Sequence, residues 1–378
     1  MYKQKLAIIG ASYLQEPLIQ KAKSLGIETH VFAWAANDVG EKSADYFYPI
    51  SIVEKEKILK KCREIGIDGI CTIASDLAVI TVGYVAEHMG LIGNSMDSIS
   101  KSTNKHLMRE CFEENGDPSP KSIQVYSVEE LKDIELNYPV IVKPVDRSGS
   151  RGITELMNPD GLEKAIIAAE KQGFEKCALV EEFATGQEYS VEYISWKGKH
   201  HFLALTQKYT TGAPMFIETG HMEPAAVSKE TLGKVQAVVE HALDSLGIEF
   251  GASHSELKIS ESGDIKIIEI GGRMGGDNIG ASLVELSTGY DFLSGVIDVA
   301  LGIEPQITKY EKGIAGIRFI FNKKDIEVLE HIKEEHPEIL VEEDVHEITD
   351  TKIADSSSRF GYFIFSSEDR KLIEKYLP

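Results

Sequence analysis

Residues 255–278 read SELKISESGDIKIIEIGGRMGGDN, two apolar-alternating runs on either side of a Ser262-Gly263 turn signal. That pattern predicts a β-hairpin. With Ser262-Gly263 as a two-residue loop, Glu261 pairs with Asp264 and Ser260 with Ile265, and the same register sets Glu256 opposite Glu269. Their β-carbons would lie roughly 4.5–5.5 Å apart, where directly opposed like charges are destabilising. A cation between them removes that cost, and two carboxylates are the usual protein share of a magnesium site that also holds substrate phosphates. The competing expectation is a bulge or slip that turns one glutamate to solvent. Gly271-Gly272-Arg273-Met274-Gly275-Gly276 then leaves the second strand. Glycines there admit close backbone approach to a ligand, and Arg273 carries a fixed, forked cation suited to carboxylate or phosphate.

Working outward, 378 residues are long for one core and suggest two or three domains. A composition of 42% hydrophobic and 27% charged is that of an ordinary soluble globular protein. The net charge of −21 argues against nucleic-acid partners and against anionic membrane surfaces. Four cysteines stand without metal-binding or CxxC spacing, so buried thiols are expected rather than a disulfide framework. The N-terminal apolar run is too short for a signal peptide, and no window approaches a membrane span, so a cytoplasmic location is expected.

Residues 1–100 alternate strand-like and helix-like runs, with strands expected at 6–9, 28–32 and 69–73. Such alternation implies a parallel sheet with helices on its faces. The first turn lacks GxGxxG, and the second strand ends in Phe32-Ala33-Trp34 rather than a ribose-binding acid, which disfavours a dinucleotide site. Residues 101–115 read as one helix closed by Gly116, and Lys105 taken alone is an ordinary solvated lysine. Residues 121–187 predict a small α+β lid. Its strand at 140–145 carries Lys143, and a lysine inside an apolar strand needs an anionic partner. The loop that follows, Ser148-Gly149-Ser150-Arg151-Gly152, is no Walker A motif, yet its small residues can turn N–H groups toward phosphate. Strands are also expected at 178–183, 189–196 and 201–207, then a polar loop holding Lys208 and an amphipathic helix at 229–246. Residues 313–378 read as a β-α-β appendage with a closing helix. His221 and His254 keep no transition-metal spacing and are expected to support the site rather than ligate.

In this order the pieces resemble the ATP-grasp superfamily over roughly residues 1–305. The resemblance implies an α/β and α+β multidomain chain: an ATP-grasp fold behind a Rossmann-like N-terminal domain. Its boundaries would be 1–102, 103–187 (linker helix and lid), 188–312 (catalytic) and 313–378. Lys143 in YPVIVKP is similar to the family lysine on adenine and the α-phosphate. Ser148, Gly149, Ser150 and Gly152 match the mobile phosphate loop. VEEF resembles the strand that reads adenine, implicating Glu181, Glu182 and Phe183. Glu188 matches the ribose-holding acid, Lys105 a nucleotide-contacting lysine and Lys208 a second phosphate lysine. Glu256 and Glu269 match the metal-binding acids, with Arg273 and Lys208 as the catalytic candidates.

At the second acid the family pattern is Glu-Ile-Asn-x-Arg, whereas Gly271 stands here in place of the Asn, which leaves one or two metal ions open. His254-Ser255-Glu256, Gly275-Gly276 and GHMEPA at 220–225 lean toward the L-amino-acid ligase branch. The implied cofactors are ATP and Mg2+, with Mn2+ as the alternative ion. The implied partners are a small carboxylic acid and an amine, with a homodimer as one candidate assembly. The implied reaction is a ligation through an acyl phosphate that releases ADP and phosphate. The rival readings are a bicarbonate-using carboxylase or carbamoyl-phosphate-synthetase-like enzyme, and a nucleotide-binding regulator without turnover.

Overall fold

The computed structural model describes residues 3–149, 151–308, 310, 312–350 and 353–378. Three sheets organise it. The first is parallel: strand Lys5–Ile9 lies between Glu28–Phe32 and Gly69–Cys71, and Tyr46–Tyr48 extends the edge. Its central strands are buried on both faces, as a helix-covered parallel sheet requires. The Tyr46–Tyr48 strand is too short to carry an alternation signal in the sequence.

The second sheet, four antiparallel strands, falls within the residues expected as the lid. Strand Ala178–Glu182 is flanked by Ser122–Val125 and Val140–Pro144, and Thr154–Leu156 closes the far edge. The third has eight strands, and the hairpin Phe250–Ile259 and Ile265–Gly271 occupies one end of it. At the other end Ile314–Phe319 pairs with Glu218–Glu223, so the C-terminal residues continue this sheet. One C-terminal strand, Leu340–Val345, has no counterpart among the expected elements; its mostly exposed LVEEDV lacks the periodicity that would mark it.

Core side chains from the parallel sheet and from the eight-stranded sheet meet in one cluster, in which Leu6 and Ile8 join Ile194 and Ala252. The apolar helix Phe292–Ala300 belongs to the same cluster, so burial of its face holds the parallel sheet against the eight-stranded sheet. All four cysteines are free and buried. Among the described residues, no helix is long and apolar enough to cross a membrane.

Two local departures from the expected pattern position the site. The helix expected at 101–115 is two helices, Met96–Thr103 and Lys105–Asn115, divided at Asn104. The Asn104 side chain accepts from the His106 and Leu107 N–H groups, an N-cap that restarts the helix with Lys105 as its first residue. In the hairpin, Ile259 rather than Ser260 pairs with Ile265, because the turn spans residues 260–264. The Ser260 hydroxyl accepts from the Asp264 N–H and the Ser262 hydroxyl donates to Asp264, bonds that compete with the ladder. A bulge at Ile268 then restores the register, and Glu256 does stand opposite Glu269.

Candidate active site

The lid and the hairpin face one another across a cavity of about 190 Å³. In the lid, Ile141 lies opposite Glu181 and Lys143 opposite Leu179, so Lys143 and Glu181 are diagonal neighbours on one sheet face. Both are buried, and the Lys143 ammonium donates to the Glu181 carboxylate. Arg109 donates to the other oxygen of Glu181 at 3.1 Å and to the carbonyl of Ile268, the bulged residue, at 2.6 Å. Burial opposes the charge on Glu181, but Arg109 and Lys143 outweigh it and hold the carboxyl below its usual range. Burial also draws Lys143 below the usual lysine value. The anionic partner that a lysine at 143 needs is therefore Glu181.

The two hairpin acids are each neutralised by a lysine. The Lys105 ammonium donates to Glu269 at 2.7 Å and to the Arg147 carbonyl at 2.8 Å. Lys208 lies 2.6 Å from Glu256, 3.2 Å from Glu188 and 3.5 Å from Glu218. Lys208 is not in a polar loop as expected: it sits within the strand Lys199–Thr210, opposite His221 on the neighbouring strand. Pairing with Glu218–Glu223 prolongs that strand, and three carboxylates allow the ammonium to be buried. They hold Lys208 charged well above the ordinary lysine range despite burial. Glu256 is correspondingly held well below the carboxylate range, burial being overcome by Lys208 and His254.

His254 bridges the pair to the core. One ring nitrogen contacts the fully buried Glu192 and the other lies 3.5 Å from Glu256. Burial disfavours its charge, yet Glu192 and Glu256 raise it to about 9. The Gly275 N–H also donates to Glu192, and a Cβ at Gly275 would stand 2.7 Å from the His254 ring. A glycine is required there by this close approach of side chains.

Arg273 does not present an open fork. It donates to both oxygens of Asp76, at 2.8 and 3.0 Å, from the start of the helix Asp76–Met89 in the first domain. A Cβ on Gly271 would lie 2.8 Å from that Asp76 carboxylate, so an Asn at 271 would displace Asp76. The departure at 271 thus has a steric reason within this chain.

Of the expected site residues, Lys105, Lys143, Ser148, Gly149, Glu181, Glu182, Phe183, Glu188, Glu256, Glu269 and Arg273 line the cavity. Lys208 reaches it through Glu256. The Phe183 N–H is already taken by the Pro139 carbonyl. Gly152 is not among the lining residues; it adopts a positive φ and packs against Gln172 and Pro144. Ser150 lies outside the described residues. Among the described residues no three His, Cys, Asp or Glu side chains converge on one point, but two carboxylates beside bound phosphates are the donor set that magnesium accepts.

Four participants escaped the sequence reading. Arg109 stands one helical turn from Lys105, and Glu192 shares a strand face with Glu188, so spacing alone carried a signal for both. Glu218 has only its place two residues before the GHMEPA run. Asp76, 197 positions from Arg273, has none.

A model of the ATP-grasp domain matches residues 136–281. The alanine–anticapsin ligase of Bacillus subtilis (strain 168) is 26% identical over 248 residues, covering 59% of this chain and 52% of that protein. The N-terminal section of a carbamoyl phosphate synthase large chain from Methanopyrus kandleri is 24% identical over 283 residues, covering 70% and 49%. This chain thus spans about half the length of the curated relatives it matches. An L-amino acid ligase structure from Bacillus licheniformis superposes with a TM-score of 0.86 at 24% identity, covering 100% of this chain and 96% of that one. A phosphoribosylglycinamide synthetase from Anaerococcus prevotii follows at TM-score 0.77 and 20% identity, covering 99% and 96%. An ATP-grasp domain thus occupies residues 136–281, and the chain along its length shares the fold of the L-amino acid ligase structure.

Proposed function

We propose that this protein is an ATP-dependent carboxylate–amine ligase that joins two amino acids, or small metabolites like them, through an acyl phosphate. The observation that carries the reading is the facing of two buried lysines, Lys105 and Lys143, with the opposed acids Glu256 and Glu269 around one cavity, with a third buried lysine, Lys208, paired to Glu256. Phosphoryl transfer needs little covalent help, so fixed cations and positioned carboxylates supply most of what catalysis requires. Glu256 and Glu269 would hold magnesium, or manganese in its place, which would supply charge neutralisation to the phosphates.

The rest falls to the chain's own groups. Lys105 and Lys143 bind phosphate oxygens, and the loop around Ser148 and Gly149 covers them. Lys208 keeps Glu256 ionised and aimed. Arg273 exchanges its Asp76 partner for the substrate carboxylate and orients it toward the γ-phosphate, where attack gives the acyl phosphate and ADP. The amine then attacks the acyl carbon and phosphate leaves. The resemblance of the 220–225 and 254–256 runs to L-amino-acid ligases, and the identity to the B. subtilis alanine–anticapsin ligase, support amino acids as substrates.

The test is incubation with ATP, magnesium and pairs of amino acids, with ADP, phosphate and product mass followed together. Phosphate release confined to particular pairs, with a dipeptide-like mass, is expected. Formation of AMP, or bicarbonate as the only accepted acid, would overturn the proposal.

A further inference from the structure

The glycine turn after Arg273 ends in two residues, Asp277 and Asn278, at φ of 51° and 59°. Asp and Asn tolerate this left-handed region better than other non-glycine residues, yet positive φ remains uncommon for them, and here it falls at two successive residues. Glu192 and Ala74 hold the middle of the turn, through the Gly275 N–H and the Met274 carbonyl, and the C-terminal part of the chain holds its end at Asp277. The Arg359 guanidinium forks onto both oxygens of Asp277, at 3.0 and 2.6 Å, and lies 3.6 Å over the Phe319 ring. Its remaining donors reach the Ser356 carbonyl at 2.7 Å and the Glu218 carbonyl at 3.3 Å. The Ser356 hydroxyl donates to the Glu218 side chain at 2.7 Å, and Glu218 is one of the three acids around Lys208.

One short segment, 356–359, therefore clamps both the turn that carries Arg273 and the acid cluster that carries Glu256. The Arg359 side chain is only 5% exposed, which leaves its ion pair little screened. By contrast, Arg151 and Asp355, 3.8 Å apart, are both partly exposed, and a pair of that kind is worth little. His221 is buried 3.7 Å from Asp277, and burial draws it toward its neutral form.

We infer that Arg359 is a positioning residue of the acid-substrate site, locking the 273–278 turn so that the Arg273 fork faces the incoming carboxylate. The inference rests on the ligase reading for what Arg273 meets, but not for the clamp itself. Two readouts on the full chain keep these apart.

Amide hydrogen exchange of residues 273–278 in the ligand-free protein should be at least tenfold faster in Arg359→Gln than in the unsubstituted chain, with Arg359→Lys between them. Unchanged exchange would overturn the clamp, whatever the reaction. In amino-acid-dependent turnover, Arg359→Lys should raise KM for the acid substrate tenfold or more. KM for MgATP should stay within twofold, a split that general destabilisation does not produce. An unchanged acid KM would overturn the positioning role. If Arg359→Gln does not fold, Asp277→Asn replaces it under the same two criteria. If the unsubstituted protein ligates no amino acids, the ligase reading fails and exchange alone decides the clamp.

Discussion

Replacing Lys143 with methionine keeps the aliphatic stem in the lid core and deletes one charge from a buried trio. Were Glu181 left alone, breaking such a pair would cost about 3–5 kcal/mol of stability. It is not left alone: Arg109 keeps its 3.1 Å contact to the second carboxylate oxygen. The expected loss is therefore that of one charged hydrogen bond, about 1.5–3 kcal/mol. The same ammonium is assigned here to a nucleotide phosphate, a contact worth about 1.5–3 kcal/mol when lost. At about 1.4 kcal/mol per tenfold change, the Kd for MgATP should rise roughly ten- to a hundredfold. Calorimetric titration of Lys143→Met with MgATP, alongside denaturant unfolding, measures both effects. An unchanged Kd in a folded variant would mean that Lys143 serves only Glu181, and would remove it from the nucleotide site. Failure to fold at all would refute the claim that Arg109 compensates.

Glu256→Gln and Glu269→Gln should each abolish turnover while leaving the fold intact, since Lys208 retains Glu188 and Glu218 in the first case and Lys105 retains the Arg147 carbonyl in the second. MgATP should raise the melting temperature of the unsubstituted protein and not of either variant; full activity in Glu269→Gln would exclude it as a required ligand. Arg273→Lys keeps charge but loses the fork to Asp76 and to a substrate carboxylate, so its kcat/KM should drop at least tenfold. A rate equal to that of the unsubstituted protein would show that only charge matters there. Glu223 is buried between the Thr206 and Ser287 hydroxyls, and burial raises its carboxyl from 4.5 to about 7. Between those two values the folded chain holds a proton that the unfolded chain has released, so this group's contribution to stability falls as pH rises through that window. Glu223→Gln should flatten the slope of unfolding free energy against pH, and equal slopes in the two proteins would contradict the assignment.

What the chain disclosed before folding was whatever depends on local periodicity. The parallel strands near residues 6–9 and 28–32, the hairpin, and the opposition of Glu256 to Glu269 all follow from apolar alternation and a turn signal. Even there two errors cancelled: a longer turn shifted the register by one residue, and the Ile268 bulge shifted it back. Free buried cysteines followed equally from their spacing.

What stayed hidden were partnerships made across the chain. Lys208 looked like a loop lysine because its three acids come from three other strands, and only their convergence draws it inside. The Arg273 fork is set by Asp76 and the end of its turn by Arg359, residues from opposite ends of the sequence. An alternating pattern is written residue by residue and needs no partner to be read. The charge balance of a buried ion depends on which distant groups packing brings within 3 or 4 Å, and that is decided only when the sheets and helices have been stacked.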